Sequence, residues 1–316
     1  MGSKHRPNLI KVLFIAGCSR SGSTLLEQIL AQVDGFNALG EVQYCWSRVF
    51  AQNHLCSCGV KAHECPFWTA VAARAFGGMD RVDAKATVNL QESVASRTCI
   101  PQLIWPGLRS KRFRRDLAAY SETLCNLLAA ARDVSGAQVL IDSSKMPAHG
   151  FMLHAMECVD LYVVHIVRDS RGVVHSLQRK KRDPGVYWKT RYITQRTVGK
   201  GALDWITSNV GAHLMAGMGV PYLCVRYEDL VREPRRTISR IVTRVTGRKP
   251  RLDFLRGTRM YCRATHSSGG NPVRARHGPI EVRLDDEWHR VMPWQRKLAV
   301  TALTWPLLAG YGYMCH

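Results

Sequence analysis

Five consecutive apolar residues, Val12-Leu13-Phe14-Ile15-Ala16, run straight into Gly17-Cys18-Ser19-Arg20-Ser21-Gly22-Ser23-Thr24. This junction constrains the fold more than any other stretch of the 316-residue chain. A short unbroken apolar run bounded by glycine is the pattern of a strand buried on both faces. From Thr24 to Val33, the residues Leu25, Leu26, Ile29, Leu30 and Val33 recur at helical spacing, so strand, loop and helix follow in order. Successive backbone N–H groups at such a corner form an anion nest, and the helix dipole adds favourable potential. The corner predicts a phosphate-holding loop.

The same alternation continues along the chain. Buried-type strands are expected near residues 36–39, 139–141, 161–167 and 222–226, and helical patterns at 117–132, 173–180, 203–217 and 237–246. Alternating strands and helices imply an α/β fold of the P-loop type, three layers with a central, mostly parallel sheet flanked by helices. Ligands of such sheets bind beyond the carboxyl ends of the strands, where Asp142, Arg168 and Tyr227-Glu228 fall. No repeat or linker divides the chain, so one domain over residues 1–316 is expected. Residues 53–68, 77–116 and 263–290 lack a clear period and read as long functional loops or lids. About 45–135 and 180–202 are the stretches expected to face the substrate.

Charge narrows the partner. With 45 Lys+Arg against 24 Asp+Glu the chain carries +21, a potential that attracts polyanions, whether nucleic acid, anionic lipid, glycan or a multiply phosphorylated small ligand. No apolar stretch reaches about 18 residues, so a membrane span is not expected. Met1–Ile15 lacks a small-residue cleavage site, and Arg6 stands where an acylation signal beginning Met1-Gly2-Ser3 wants Ser or Thr. Eleven cysteines are an odd number in a chain long enough to do without disulfide staples, so most are expected to be reduced core residues of a cytoplasmic enzyme.

Compared with the triphosphate loop G-x-x-x-x-G-K-[ST], the corner keeps both glycines and the final hydroxyl but has Ser23 at the lysine position, with its cation earlier at Arg20. A triphosphate enzyme would lose the fixed cation that serves its β- and γ-phosphates. Arg20-Ser21-Gly22-Ser23-Thr24 resembles the [KR]-[ST]-G-[ST]-[ST] loop of the sulfotransferase superfamily, which binds the 5′-phosphosulfate of 3′-phosphoadenosine-5′-phosphosulfate (PAPS). A second strand-to-helix run, Ile166 to Ser176, is similar to that superfamily's 3′-phosphate element, with Arg168 at the strand end and Ser176 eight residues on. His266 to Arg274 resembles the late G-N-P-x-R loop of bacterial members. The resemblance implies cofactor contacts from Arg20, Ser21, Gly22, Ser23, Thr24, Arg168, Ser176, Gly270 and Arg274, and covers roughly residues 10–45, 138–180 and 203–292. Trp205 and Asn209 read as architectural.

Sulfuryl transfer needs an in-line nucleophile, cations for the leaving phosphate and a base for the acceptor proton. By the same resemblance Arg20 and Lys145 serve the leaving group and Glu41 is the base, with His149 and His63 as competitors; no metal is required. The acceptor implied is a hydroxyl of a glycan, lipid or other small molecule, and the basic 77–116 stretch favours an anionic one. The Cys56, Cys58 and Cys65 cluster, with His54 and His63 nearby, admits zinc, a disulfide or unlinked packing, the last being the expectation. Two rival readings stay in view. A P-loop kinase or NTPase would have Asp142 as its nearest magnesium ligand, and a nucleic-acid-binding protein would use the Arg109–Arg115 run, a pattern that more often marks a solvated helix face.

Overall fold

Alternate residues of the first strand, β1 (Ile10–Ala16), point to opposite apolar cores, Val12 and Phe14 into one and Leu13 and Ile15 into the other. That is why the run carries no polar break: both faces are covered by helices. The computed structural model describes residues 9–183, 185–270 and 272–314, the side chains of residues 272 and 273 aside. The acylation-like residues Met1 to Arg6 and Asn271 of the late loop lie outside the described residues. Four further parallel strands, β2 (Phe36–Gly40), β3 (Val139–Lys145), β4 (Val159–Val167) and β5 (Tyr222–Arg226), join β1 in the order β2-β3-β1-β4-β5. The expected parallel α/β sheet is present. β3 runs past its apolar residues to Lys145, with an irregularity in register where Ala16 faces Lys145.

The helices are α1 (Ser23–Leu30), α2 (Pro66–Phe76), α3 (Ala84–Ala95), α4 (Ile100–Ile104), α5 (Lys111–Ser135), α6 (Pro147–Ala155), α7 (Ser170–Gln178), α8 (Val198–Gly217), α9 (Tyr227–Arg232), α10 (Pro234–Thr246), α11 (Trp288–Val291) and α12 (Trp294–Gly310). α1 and α10 cover one face of the sheet, and α5 and α6 the other. The segment 77–116 is a correction to the sequence reading: it holds α3, α4 and the start of α5 rather than a loop. α5 sends Phe113, Leu117, Tyr120, Leu124, Leu127 and Leu128 into the core. A small antiparallel sheet, β6 (Leu255–Arg256), β7 (Arg259–Cys262) and β8 (Gly278–Glu281), also escaped the sequence pattern, and its β7–β8 connection is the late loop.

One pair of cysteines departs from the reduced state expected: Cys125 on α5 and Cys158, just before β4, form a disulfide. The other cysteines among the described residues are free. No described helix is long and apolar enough to cross a membrane.

Candidate active site

The carboxyl ends of β1 and β4 lie side by side, because the two strands are neighbours in register, Ala16 facing His165. Each end turns into a helix, α1 or α7. At the first corner Gly22 takes φ 94°, and a Cβ there would come 2.5 Å from the Tyr227 ring, so only glycine fits the turn. α1 begins with no side-chain cap and no acidic residue in its first turn. Ser21 Oγ is buried with no hydrogen-bond partner among the described residues. A concave backbone corner with an unpartnered buried hydroxyl suits the oxygens of an anionic group.

Arg20 links this corner to the second. Its Nε donates to Ser176 Oγ at 3.1 Å, and its carbonyl accepts from Arg168 at 3.3 Å. The sequence placed Ser176 with Arg168 at one end of the ligand and Arg20 at the other; in the structure Arg20 touches both. Burial, and then the neighbouring Arg168 charge, press the Arg20 pKa below its ordinary value. Arg168 is buried over the Tyr227 ring, 4.6 Å from its centroid, and pairs with the half-exposed Asp285 carboxylate at 3.1 Å. Trp205 Nε1 donates to the Arg168 carbonyl at 3.0 Å, and Asn209 bonds back to Trp205, which holds the strand end in place.

The ends of β2 and β3 carry a second group. Lys145 Nζ donates to Glu41 Oε1 at 2.5 Å and to the Ser143 carbonyl at 2.6 Å, and Arg48 donates to Glu41 Oε2 at 2.6 Å. Burial alone would raise the Glu41 pKa, but Lys145 and Arg48 outweigh it and hold the carboxyl at about 2. Three non-glycine residues have left-handed φ among the described residues, and Arg20 (74°) and Lys145 (69°) are two of them. Such backbone persists where surrounding structure enforces it, often at functional sites. Gly40, at φ 84°, precedes Glu41; a Cβ there would meet the Ser268 carbonyl oxygen at 2.0 Å. The late loop comes that close because Glu41 N–H donates to Ser268 O and Ser268 N–H to Leu39 O. Gly270 in turn lies against Thr24.

Other sequence candidates sit elsewhere. His149 is buried in the core with Nε2 2.8 Å from Asp142, and His63 Nε2 faces the Val49 and Phe50 carbonyls. Arg274 is buried and turned to the carbonyls of Gly269 (2.6 Å) and Leu55 (3.0 Å). The three clustered cysteines gather around His266, not His54 or His63. Sequence reasoning missed Arg48, Asp285 and Glu27, and placed Tyr227 at a strand end without seeing that its ring lies under Arg168. Glu27 carried the clearest signal, an acid on the apolar side of α1; it is buried, accepts from Ser143 Oγ at 2.7 Å, and burial lifts its pKa to about 7.

Residues 13–246 match the profile of the Sulfotransferase family. Among solved structures, the chain is similar to the sulfotransferase domain from the Synechococcus PCC 7002 olefin synthase, with 21% identity, a TM-score of 0.49 and 97% of each chain covered. It is also similar to the sulfotransferase domain from the curacin biosynthetic pathway, with 16% identity, a TM-score of 0.47, and 93% of this chain and 97% of that one covered. Compared with curated protein sequences, the chain has no match.

Proposed function

Because the chain belongs to the Sulfotransferase family, we propose that it moves a sulfuryl group from PAPS to an acceptor hydroxyl by in-line displacement, with no catalytic metal. The observation that carries this reading is the joining of two strand-end corners through Arg20, with Ser176 and Arg168 at its two sides. The nucleotide supplies an activated sulfuryl group on a phosphate leaving group. On the protein side, Arg20, Ser21, Gly22, Ser23 and Thr24 hold the 5′ end, Arg168 and Ser176 the 3′-phosphate, and Gly270 the loop against Thr24. Arg168 exchanges its Asp285 partner for phosphate, a forked donor suited to either.

Lys145 and Glu41 divide the remaining chemistry. A carboxylate held at about 2 is ionised but weakly basic, which makes it a poor proton acceptor while both cations grip it. The Lys145 ammonium cannot fully serve Glu41 and a leaving oxygen together. Drawing it toward the leaving group frees Oε1 of Glu41 and raises its basicity when the acceptor hydroxyl must lose its proton.

The segment 180–202 is the acceptor side of this reading. Lys181 lies near Arg20, with burial and then that charge lowering its pKa to about 8, while Gly185 lies against Arg274 and Tyr187 and Trp188 are exposed. Cations beside exposed aromatic rings suit an anionic glycan or lipid-linked sugar. The rival readings find less support. Both Asp142 oxygens are engaged within the protein, by Ser144 and His149. Within the basic run, Arg109 binds the Gln102 and Leu103 carbonyls, and Arg112 and Arg115 pair with Asp116.

The test is ligand-induced stabilisation. Adenosine 3′,5′-bisphosphate without metal is expected to raise the melting temperature by mass action, and ATP with magnesium is not. The reverse pattern sinks the proposal. Incubation with ³⁵S-labelled donor and a panel of glycan, lipid and phenolic acceptors then identifies the acceptor.

A further inference from the structure

Away from these strand ends, the chain brings four soft donors to one point. Cys56 and Cys58 lie in a tight turn, closed by Cys56 N–H to Val60 O and Gly59 N–H to Cys56 O, beneath a bridge between Leu55 and Lys61. Cys65 follows at the start of α2, and His266 arrives from the late loop, 201 residues further on. Their donor atoms all lie within 4.8 Å of one another. Cys65 Sγ is 3.7 Å from Cys58 Sγ, 3.7 Å from Cys56 Sγ and 3.2 Å from His266 Nδ1.

We propose that Cys56, Cys58, Cys65 and His266 bind a structural zinc ion that pins the late loop to the turn at residues 56–60. Zinc–sulfur bonds of about 2.3 Å at tetrahedral angles separate two thiolates by about 3.8 Å, close to the spacings seen here. A disulfide places its sulfurs about 2.05 Å apart and would leave the third thiol over. The imidazole is set for one orientation: its ring stacks on Phe67 (centroids 5.3 Å, 17° between planes), and the His266 carbonyl accepts from Trp68 Nε1 at 2.8 Å. All four positions are filled by protein, the mark of a structural rather than a catalytic zinc site. Binding releases three thiol protons and leaves a net charge of −1. Arg274, a buried cation bonded to the carbonyl of Leu55 next to Cys56, lies on the side that this charge favours.

The Cys-x-Cys spacing that looks too tight on paper is accommodated because Gly59, at φ 95°, closes the turn behind both thiols. The proposal is independent of the reaction assigned above. Its consequence is mechanical: Ser267 to Gly270 follow His266 directly and lie on Glu41 and Thr24, and Ser57 ties the same segment by donating to Thr265 O at 2.6 Å and accepting from Ser267 N–H at 2.9 Å.

Elemental analysis of the purified full chain, prepared under reducing conditions with zinc in the growth medium, tests it. The expected result is about one zinc per chain. Exchange for cobalt(II) should give the thiolate-to-metal charge-transfer and intense visible bands of a tetrahedral sulfur-rich site. Cys58→Ser, at a half-buried ligand, and His266→Ala should lose the ion or bind it far more weakly. If those variants fail to fold, the wild-type zinc content and cobalt spectrum still decide. Folded wild-type chain with substoichiometric zinc and no such spectrum overturns the proposal, as does a disulfide between two of the three cysteines by mass spectrometry.

Discussion

The two halves of the strand-end cleft handle charge in opposite ways. At the β1–β4 side, Arg20 and Arg168 rest on a hydroxyl, a backbone carbonyl, an aromatic face and the carboxylate of Asp285, which is half exposed. That side keeps net positive charge, and the carboxylate paired with Arg168 there is half exposed to solvent. At the β2–β3 side, Glu41, Lys145 and Arg48 form a mostly buried cluster closed at 2.5–2.6 Å. There the charges already satisfy one another, and a member acts only by leaving its partner. On the proposed reading, the first half receives an anion and the second is opened by one.

The largest effect that would break this contrast is at Glu41. Glu41→Gln keeps the shape of the side chain, so adenosine 3′,5′-bisphosphate should bind as before, while single-turnover transfer falls about 10²–10⁴-fold, the usual share of a general base. Retained turnover would reduce the β2–β3 cluster to a structural ion pair. The next effect is on the other half. Arg168→Ala removes a buried fork of charge-assisted donors and should weaken that nucleotide by about 10²–10³-fold, roughly 3–4 kcal/mol by calorimetric titration. Arg274→Ala makes the useful control, since its guanidinium is turned to the Gly269 and Leu55 carbonyls. It should lower the melting temperature more than the affinity. Equal losses of affinity at Arg168 and Arg274 would extend the anion-receiving half across the late loop, as the sequence motif suggested.

The same contrast explains what could be read without coordinates. The β1 and β4 corners were legible because each is local: an apolar run, a polar turn and a helix within about twenty residues, with Arg168 and Ser176 one segment apart. The β2–β3 cluster was half legible. Glu41 follows β2 and Lys145 ends β3, but nothing local says that the two strands are neighbours, or that Arg48, seven residues after Glu41, folds back onto it. The fourth member of the cysteine cluster was beyond reach, because His266 lies 201 residues from Cys65 and only the β7–β8 connection brings it home. Helices α3 and α4 were missed because they present few buried residues, Ala84 and Val94 in one and Leu103 in the other, too few to mark an apolar face.

Glu27 provides the finest test, because it lies between the halves and titrates opposite to Glu41. It sits on α1 of the first half and takes a hydrogen bond from Ser143 on β3 of the second. Burial raises it from 4.5 to about 7, whereas its neighbour Glu41 is held at about 2 by two cations in contact. For Glu41, the unfolded chain binds the proton more tightly, so its stabilisation is present above pH 4.5 and is lost as the pH falls from there toward 2. For Glu27 the folded chain binds the proton more tightly. Its stabilising difference is full below pH 4.5 and is lost as the pH rises from 4.5 through 7, at most on the order of 3 kcal/mol. Glu27→Gln keeps an acceptor for Ser143 and removes that decline. Urea unfolding should therefore find the variant more stable than the wild type at pH 7.5, with the difference shrinking toward pH 4.5. A variant that is less stable at every pH would mean that Lys145 reaches Glu27 as well as Glu41, and that the cationic cluster is larger than its hydrogen bonds indicate.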